Sequence, residues 1–230
     1  MMAILSDIHG NLPALQAVIK DALARGCKTF LSLGDVVGYG AQPGECIDLL
    51  CALKIPNILG NHDSYITRNQ NCPRSKAVSE ILDYQRTVLT SQQVAWLSGS
   101  HDYLRDEGLL FVHGGPDDPL DQYLYKITKN TIPDNVRFLF TGHTHIQIRA
   151  DFDERVFCNP GSVGQPRDGD SRAAYATLQA DTLALYRVEY DINRAAAAMK
   201  AAGFEPFFYE NLYKGAQIGG RVDNIQIIRT

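Results

Sequence analysis

The sequence lacks the features that mark membrane proteins, disulfide-built proteins and nucleic-acid binders. No apolar run approaches the ~20 residues of a bilayer span, and Asp7 comes too soon for the apolar region of a signal peptide. The five cysteines are odd in number and show no C-x-x-C spacing, so we expect mostly buried, unpaired thiols. The net charge is −4 and no run of Lys or Arg occurs, which argues against a nucleic-acid partner. We expect a cytoplasmic protein with no membrane partner.

What is present is the composition of an ordinary globular chain. The 230 residues are 45% hydrophobic and 21% charged, enough for one large domain with a substantial core. We expect this domain to span residues 1–203. Residues 204–230 form a C-terminal extension that packs either on the domain or on a partner. The sequence is compatible with both a monomer and a homo-oligomer. Residues 222–228 form either an edge strand or part of a partner's sheet.

Apolar patterning in the first 60 residues predicts alternating strands and helices. Pro13 and a possible capping Asn11 begin a helix whose apolar residues recur every three or four positions. The predicted strands are residues 3–6 and 29–33 and a short segment at Ile58-Leu59, and the predicted helices are residues 11–24 and 43–53. This order indicates a parallel sheet with helices packed outside it.

Downstream of residue 75 the pattern changes. Residues 75–99 are predicted to be helical in two pieces, and residues 193–202 form an alanine-rich helix. The predicted strands are residues 101–104, 109–112, 137–141, 146–150, 155–158, 173–179 and 182–189. Hairpin-like turns separate several of them, so we expect a second, more antiparallel sheet.

Five short motifs of His, Asp and Asn follow these predicted elements. They are Asp7-Ile8-His9, Gly34-Asp35, Gly60-Asn61-His62-Asp63, His113-Gly114 and Gly142-His143-Thr144-His145. Taken singly, each suits a helix cap, a polar turn or a buried histidine. Taken together, the first three lie at successive strand ends, where ligand sites of open α/β sheets lie. Nitrogen and oxygen donors without thiolates indicate a metal site.

This five-part pattern resembles the calcineurin-like metallophosphoesterase family, from Asp7 to about Tyr190. The loop of residues 159–167 is similar to a branch containing small bacterial and archaeal phosphodiesterases and relatives of diadenosine tetraphosphatases. The resemblance implies an α/β fold, a four-layer α/β/β/α sandwich of two mixed β-sheets flanked by helices. It also implies two divalent or transition metal ions, drawn from Mn, Fe, Ni, Co or Zn.

The resemblance implies a role for each motif residue. The first metal ion is held by Asp7, His9 and His145. The second is held by Asn61, His113 and His143, and Asp35 bridges both ions. A hydroxide between the ions attacks phosphorus. Because Asn61 binds through oxygen without adding negative charge, the centre stays positive and attracts a phosphate anion.

The candidates for contact with a small phosphate-ester substrate are Asn61, His62, Arg167 and Tyr39, and the catalytic candidates are His62 and Asp63. His62 contacts the phosphate beside Asn61 and protonates the leaving oxygen. Asp63 either holds that imidazole protonated or caps the following segment. Arg167 either grips phosphate with two donors or pairs with Asp168 or Asp170. Tyr39 either lines the pocket or packs its own loop.

Other residues bear on substrate choice. Tyr123 and Tyr125 are expected mainly to pack in the core, with stacking on a base as the alternative. Arg68 and Arg74 are candidate contacts at the rim. The acidic pair Asp117-Asp118 would repel a second phosphate, which argues against polyphosphate dinucleotides.

Two enzymatic functions remain open, and the motifs do not separate them. A phosphodiesterase is slightly preferred over a phosphomonoesterase or phosphoprotein phosphatase, with a dinucleotide polyphosphate hydrolase as a further alternative. A non-catalytic metal-binding scaffold is disfavoured, because His62 and every ligand position are present.

Overall fold

The fold is described from a computed structural model in which residues 1–229 are placed. Its strands are β1 (Met2–Leu5), β2 (Thr29–Ser32), β3 (Leu104–Asp106), β4 (Leu109–Phe111), β5 (Lys126–Ile127), β6 (Phe138–Phe140), β7 (Gln147–Phe152), β8 (Arg155–Pro160), β9 (Ala173–Gln179), β10 (Thr182–Val188) and β11 (Gln226–Ile227). Its α-helices are α1 (Leu12–Ala24), α2 (Pro43–Ala52), α3 (Asn61–Thr67), α4 (Lys76–Val88), α5 (Ser91–Ser98) and α6 (Ile192–Ala201). None of these helices is long and apolar enough to cross a bilayer.

The first sheet has the strand order β10–β9–β1–β2. Strands β1 and β2 are parallel, and β9 pairs antiparallel with both β1 and β10. Helix α1 makes the crossover between β1 and β2. It begins where the Asn11 side chain accepts the Ala14 N–H at 3.2 Å, with Pro13 in the first turn. The predicted parallel pairing and the predicted start of this helix are confirmed.

The second sheet has the order β3–β4–β6–β8–β7. Its three central strands are parallel, and only its edge strands β3 and β7 are antiparallel to their neighbours. The expectation of a more antiparallel sheet is therefore wrong for its centre. Hairpin turns specify local pairs only, so they did not reveal that the β9–β10 hairpin joins the first sheet.

Apolar side chains fill three layers. Ile4, Leu31, Phe140 and Val156 belong to the cluster between the two sheets. The outer face of the first sheet is covered by α1–α5, while α6 packs against α1. The outer face of the second sheet is covered by the small β5–β11 ribbon and a 3-10 turn at Lys129–Thr131. The α/β fold class with two mixed sheets and flanking helices is confirmed, although no α-helix contributes to this last layer.

Two local predictions differ near residue 60. The strand predicted at Ile58-Leu59 is reduced to isolated bridges, Asn57 with Ser32 and Ile58 with His101. Helix α3, which the sequence pattern did not predict, begins directly at Asn61. Its start is stabilised because the Asp63 carboxylate accepts the Gly60 N–H at 3.2 Å. A polar seven-residue helix has no apolar period to reveal it.

The C-terminal segment after α6 lies against the rest of the chain. It runs through two 3-10 turns, Pro206–Phe208 and Glu210–Lys214, and ends in β11, which pairs parallel with β5. The predicted strand at 222–228 therefore shortens to two residues. The division of the chain at residue 203 stays a prediction.

Candidate metal centre

The five motifs converge at one edge of the two sheets, where their loops hydrogen-bond to one another. The Asp7 N–H donates to the Gly34 carbonyl at 3.0 Å, and the His9 N–H donates to the Asp35 carbonyl at 2.9 Å. The Gly142 N–H donates to the His113 carbonyl at 2.8 Å. Motifs that are distant in sequence thus share one backbone network, which fixes the positions of their side chains.

Close approach of these loops requires glycine at particular places. A Cβ added to Gly60 would fall on the Asp35 carboxylate and backbone nitrogen. A Cβ added to Gly142, which precedes the histidine pair, would likewise collide with the side chains of Ser6 and Asp7. These two glycines let the motif loops touch, so they are part of the site although they carry no side chain.

Six site residues adopt the left-handed backbone conformation that non-glycine residues seldom use. Their φ angles lie between 50° and 65°, and the residues are Asp7, His9, Asp35, Tyr39, His143 and His145. Each such residue costs on the order of 1–3 kcal/mol, and such residues concentrate at functional sites. The surrounding fold therefore holds the motif side chains in place at an energetic cost.

The first ligand group contains Asp7, His9, Asp35 and His145, all buried, with one donor atom from each within 4.8 Å of all the others. Asp7 Oδ1 lies 3.2 Å from His145 Nε2 and 3.8 Å from His9 Nε2. The two imidazole nitrogens face each other at 3.1 Å. Two neutral imidazoles cannot both present lone pairs at this distance without a proton or a cation between them.

The second ligand group contains Asp35, His113 and His143, also buried and within 4.8 Å of one another. His113 Nε2 lies 3.4 Å from Asp35 Oδ2, 3.2 Å from His143 Nδ1 and 3.1 Å from Asn61 Oδ1. Asp35 belongs to both groups through the same oxygen, Oδ2, which is 3.7 Å from His9 Nε2. The seven residues predicted as ligands are thus all brought together, in the predicted two sets with Asp35 between them.

Backbone carbonyls orient three of the imidazoles. The Nδ1–H groups of His9, His113 and His145 can each donate to a carbonyl, that of Val37 at 2.7 Å, Leu33 at 2.9 Å and Gln165 at 2.7 Å, respectively. With the proton on Nδ1, each Nε2 carries a free lone pair directed into the site. This is the tautomer that ligates a metal.

Electrostatics also favour positive charge at this place. Burial raises the pKa of Asp35, but the neighbouring histidines, His113 foremost, hold it well below its usual value. Burial lowers the pKa of His113, yet Asp35 outweighs this and raises it to about 9. Asp35 Oδ2 is buried and has no hydrogen-bond partner among the described residues. This buried carboxylate oxygen has no hydrogen-bond donor and faces several imidazoles, so it is suited to a metal ion that prefers nitrogen and oxygen ligands.

The position of Asp63 agrees with the second of its two predicted roles. Its carboxylate does not bind the His62 ring. It accepts the N–H groups of Asp35, Val36, Val37 and Gly60 and the side-chain amide of Asn57, at 2.9–3.3 Å. Burial and the charge of Asp35 raise its pKa to about 7 against these donors, and cations beside Asp35 would offset that charge. Asp63 therefore caps α3 and shapes the Asp35 loop, which is the alternative that the sequence left open.

His62 lies beside the ligand groups. Its Nε2 is 4.0 Å from Asp35 Oδ2, and its buried Nδ1 has no hydrogen-bond partner among the described residues. Its ring contacts those of His9 and Tyr39, with centroids 4.9 Å away in both cases. Burial lowers its pKa to about 4. The imidazole is thus available for a ligand that enters from the cleft.

An open cleft with a volume of about 380 Å³ leads from solvent to Asn61 and His62. Its walls carry tyrosine and arginine side chains from five parts of the chain: Tyr39, Arg74, Tyr123, Tyr125, Arg167 and Arg221. Tyr123 stands over His143 with ring centroids 3.8 Å apart, and it lies parallel to Tyr125 at 5.6 Å. The two tyrosines line the cleft, so the expectation that they pack in the core is wrong.

Arg167 is buried, with 5% of its surface exposed. Its guanidinium donates to the Tyr39 hydroxyl at 2.9 Å and to Gln165 Oε1 at 3.0 Å. It does not pair with Asp168, which binds Arg187 instead. Among the described residues no carboxylate lies within ion-pair distance of Arg167. A buried cation without an anionic partner leaves an anion-binding position in the cleft.

The remaining candidates divide between the cleft and the surface. Arg74 lines the cleft but donates both terminal nitrogens to Asp121, while Arg68 lies outside the lining residues. Asp117 and Asp118 are exposed and bond within their own turn to Gln122. Their predicted repulsion of a second phosphate therefore does not act inside the cleft. Arg221 was not predicted, because no motif marks it in the sequence.

Comparison with known proteins agrees with this geometry. A model of the calcineurin-like phosphoesterase superfamily domain matches residues 1–183. The uncharacterized protein MJ0912 of Methanocaldococcus jannaschii is 31% identical over 94% of this chain and 98% of its own. The phosphodiesterase YfcE of Escherichia coli K12 is 28% identical over 78% of this chain and 88% of its own.

A similar solved structure extends the likeness to the fold of almost the whole chain. The metallophosphoesterase from Sphaerobacter thermophilus superposes with a TM-score of 0.81 at 31% identity, covering 93% of this chain and 99% of that one. The chain belongs to the calcineurin-like phosphoesterase superfamily and is a hydrolase of phosphoric esters.

Proposed function

We propose that this protein is a dinuclear-metal-dependent phosphodiesterase. The observation that carries the proposal is the pair of buried ligand groups that share Asp35 Oδ2 beside an open cleft. Two ions held about one carboxylate oxygen are the arrangement typical of two-metal phosphoester hydrolysis. The phosphodiesterase YfcE, 28% identical over 78% of this chain, supports the same reaction class.

The ligands follow from the two groups. Asp7, His9 and His145 hold one ion, Asn61, His113 and His143 hold the other, and Asp35 belongs to both. The donor set admits Mn, Fe, Ni, Co or Zn. The chemistry that the bound ions supply is activation of water and stabilisation of charge on the entering and leaving oxygens.

Protein side chains on the cleft hold the substrate. Arg167 binds a phosphate oxygen, and Tyr39 holds the guanidinium in place through its hydroxyl at 2.9 Å. Asn61 faces the same phosphate. His62 donates a hydrogen bond to the phosphate and a proton to the leaving oxygen, because its ring nitrogens lie between the ligand groups and the cleft. The negative charge of the phosphate favours the protonated imidazole.

A diester fits the cleft better than a monoester. A diester phosphate carries one negative charge, which matches the single positive charge of Arg167. This guanidinium is buried next to the ligand groups and has no carboxylate beside it among the described residues. The open cleft of about 380 Å³ also has room for a substituent on either side of phosphorus. Phosphomonoester and dinucleotide polyphosphate hydrolysis are the competing reactions.

The test compares bis(4-nitrophenyl) phosphate with 4-nitrophenyl phosphate after reconstitution with each metal. We expect faster diester hydrolysis, about two ions per chain by elemental analysis, and a roughly hundredfold loss of kcat in His62→Ala. His101→Ala, at an exposed histidine outside the centre, is the control and retains activity. Faster hydrolysis of the monoester, or equal rates in His62→Ala and wild type, would contradict the proposal.

A further inference from the structure

One wall of the cleft comes from a part of the chain beyond residues 1–183, the range that matches the family model. Residues 217–227 run along the cleft mouth, and we call them the C-terminal strap. Gln217, Ile218 and Arg221 of the strap line the cleft opposite the motif loops. The family motifs therefore do not supply this wall, and its side chains distinguish this protein's cleft from one built by the motifs alone.

The strap is attached to the cleft through its C-terminal half. The Asp223 N–H donates to the carbonyl of Arg167 at 2.7 Å, next to the guanidinium proposed to bind phosphate. Farther along, the Gln226 N–H donates to the Tyr125 carbonyl at 2.9 Å, and β11 pairs with β5. Because the strap bonds directly to two residues that line the cleft, its side chains have defined positions relative to the substrate.

Arg221 is the cationic side chain of the strap. Its side chain is 69% exposed, and its Nε lies 2.9 Å from Asp223 Oδ1. The Asp223 carboxylate is nearly buried and also accepts the Gln217 side-chain amide. Asp223 thus orients the guanidinium from behind, while the terminal nitrogens of Arg221 make no side-chain hydrogen bond among the described residues. An exposed pair of this kind is weak, so those donors remain available to a ligand.

The three arginines of the cleft are in different situations. Arg74 has both terminal nitrogens engaged by Asp121. Arg167 is buried beside the ligand groups and suits the phosphate that reacts. Arg221 lies farther out, yet both Arg167 and Arg221 lie near Tyr125: burial and the Asp223 carboxylate raise the pKa of this tyrosine, and the two arginine charges partly offset the rise. A ligand that extends along Tyr125 therefore meets two cationic positions.

We propose that Arg221 determines specificity by binding a second phosphate group, so that the preferred substrate is a phosphoester carrying another phosphate beyond the one hydrolysed. This inference rests on the proposed function, because it assumes that the reacting phosphate lies at Arg167 and the ligand groups. The guanidinium offers the planar pair of donors that binds phosphate oxygens. The cleft volume of about 380 Å³ lies within the range of small-molecule sites and is open to solvent at its mouth.

The test uses two substrates that differ by one phosphate. Thymidine 3′-(4-nitrophenyl phosphate), with or without a 5′-phosphate, has the same reacting diester and the same leaving group in both forms. We expect the metal-loaded wild type to prefer the 5′-phosphorylated form about tenfold in kcat/KM. In Arg221→Gln the ratio of the two kcat/KM values falls to near one. A ratio cancels any general loss of activity that the substitution causes.

Arg194→Gln is the matched control, because Arg194 lies on α6 outside the cleft and its guanidinium contacts exposed Gln16. It should keep the wild-type ratio. Equal kcat/KM for both substrates in wild type, or an unchanged ratio in Arg221→Gln, would overturn the role of Arg221 while leaving the phosphodiesterase proposal intact. If wild type hydrolyses neither diester, the proposed function itself fails.

Discussion

Replacement of Asp63 by asparagine is expected to destabilise the protein strongly, because its buried carboxylate accepts five hydrogen bonds. One oxygen of the Asp63 carboxylate accepts two backbone N–H groups, and the other accepts two N–H groups and the Asn57 amide. In Asp63→Asn one oxygen becomes an NH2 group, so two or three buried donors lose their acceptor and meet another donor instead. Each unsatisfied donor costs about 1–3 kcal/mol, which gives a loss of roughly 2–6 kcal/mol.

The assay is urea unfolding of the metal-depleted protein, because bound metal would stabilise the folded state and mask the difference. With an m-value of about 2–3 kcal/mol/M, the midpoint should fall by about 1–2 M. Asp102→Asn, at an exposed aspartate with no side-chain hydrogen bond among the described residues, is the matched control. Its midpoint should stay within about 0.3 M of wild type, because such surface changes are worth about 0.5 kcal/mol or less.

The same variant separates the two roles considered for Asp63. If Asp63 served mainly to hold the His62 imidazole protonated, Asp63→Asn would lower kcat and leave the urea midpoint unchanged. If it shapes the Asp35 loop, the midpoint falls and metal content falls with it. A midpoint indistinguishable from that of Asp102→Asn would refute the reasoning from hydrogen bonds.

Four other changes test the centre. Asn61→Asp should retain both ions by elemental analysis but lower phosphodiester turnover roughly tenfold or more, because it removes positive charge from the site; unchanged turnover would count against the charge argument. Arg167→Lys should raise KM about tenfold with unchanged metal content, since an ammonium group cannot reproduce the two-pronged contact, and an unaltered KM would exclude phosphate binding there. Removal of both metal ions with a chelator should abolish activity reversibly and lower Tm by about 10–20 °C, because each of two sites filled at 100 Kd adds about 2.7 kcal/mol; an equal Tm with and without metal would argue against tightly held ions. Gly60→Ala should lose metal, because the added Cβ would displace Asp35. Gly99→Ala is the control and should keep its metal, because Gly99 has the same φ of −87° and its added Cβ would make only ordinary contacts at 3.5 Å. Full metal content in Gly60→Ala would contradict the close approach of Gly60 to Asp35.

The convergence of the motif side chains could be predicted from the sequence because the motifs combine a chemical and a positional signal, whereas their assignment to two ions is implied by the family resemblance and stays a proposal. Asp7, Asp35 and Asn61 follow apolar segments, and the carboxyl ends of parallel strands meet at one edge. The same reasoning could not assign Asp63, because a carboxylate beside a histidine suits a ring partner and a helix cap equally well. The choice between these roles depends on where the N–H groups of the neighbouring loop point, which is a tertiary property.

The fold was predicted best where periodicity is local and strong. Helices α1, α2, α4 and α5 agree with their predicted ranges to within a few residues, and β9 agrees fully. Helix α3 was missed because its seven mostly polar residues, with Ile66 as the buried aliphatic side chain, carry no apolar period. The assignment of β9 and β10 to the first sheet was missed because register between distant strands depends on the packing of whole faces rather than on any one segment.

The cleft shows the same limit at the level of function. Ligands such as His9 and His145 carry their chemistry in short loops, whereas the residues that contact the rest of a substrate lie where the chain happens to return. Arg221 lies 54 positions beyond Arg167 in the sequence, yet the Asp223 N–H bonds to the Arg167 carbonyl at 2.7 Å. The chemistry of the reaction is therefore assigned to the five motif loops, whereas our proposal assigns the choice of substrate to the C-terminal strap, which lies beyond the residues 1–183 that match the family. We therefore expect substitutions in the strap to change the preference among phosphoesters while phosphoesterase activity itself is retained.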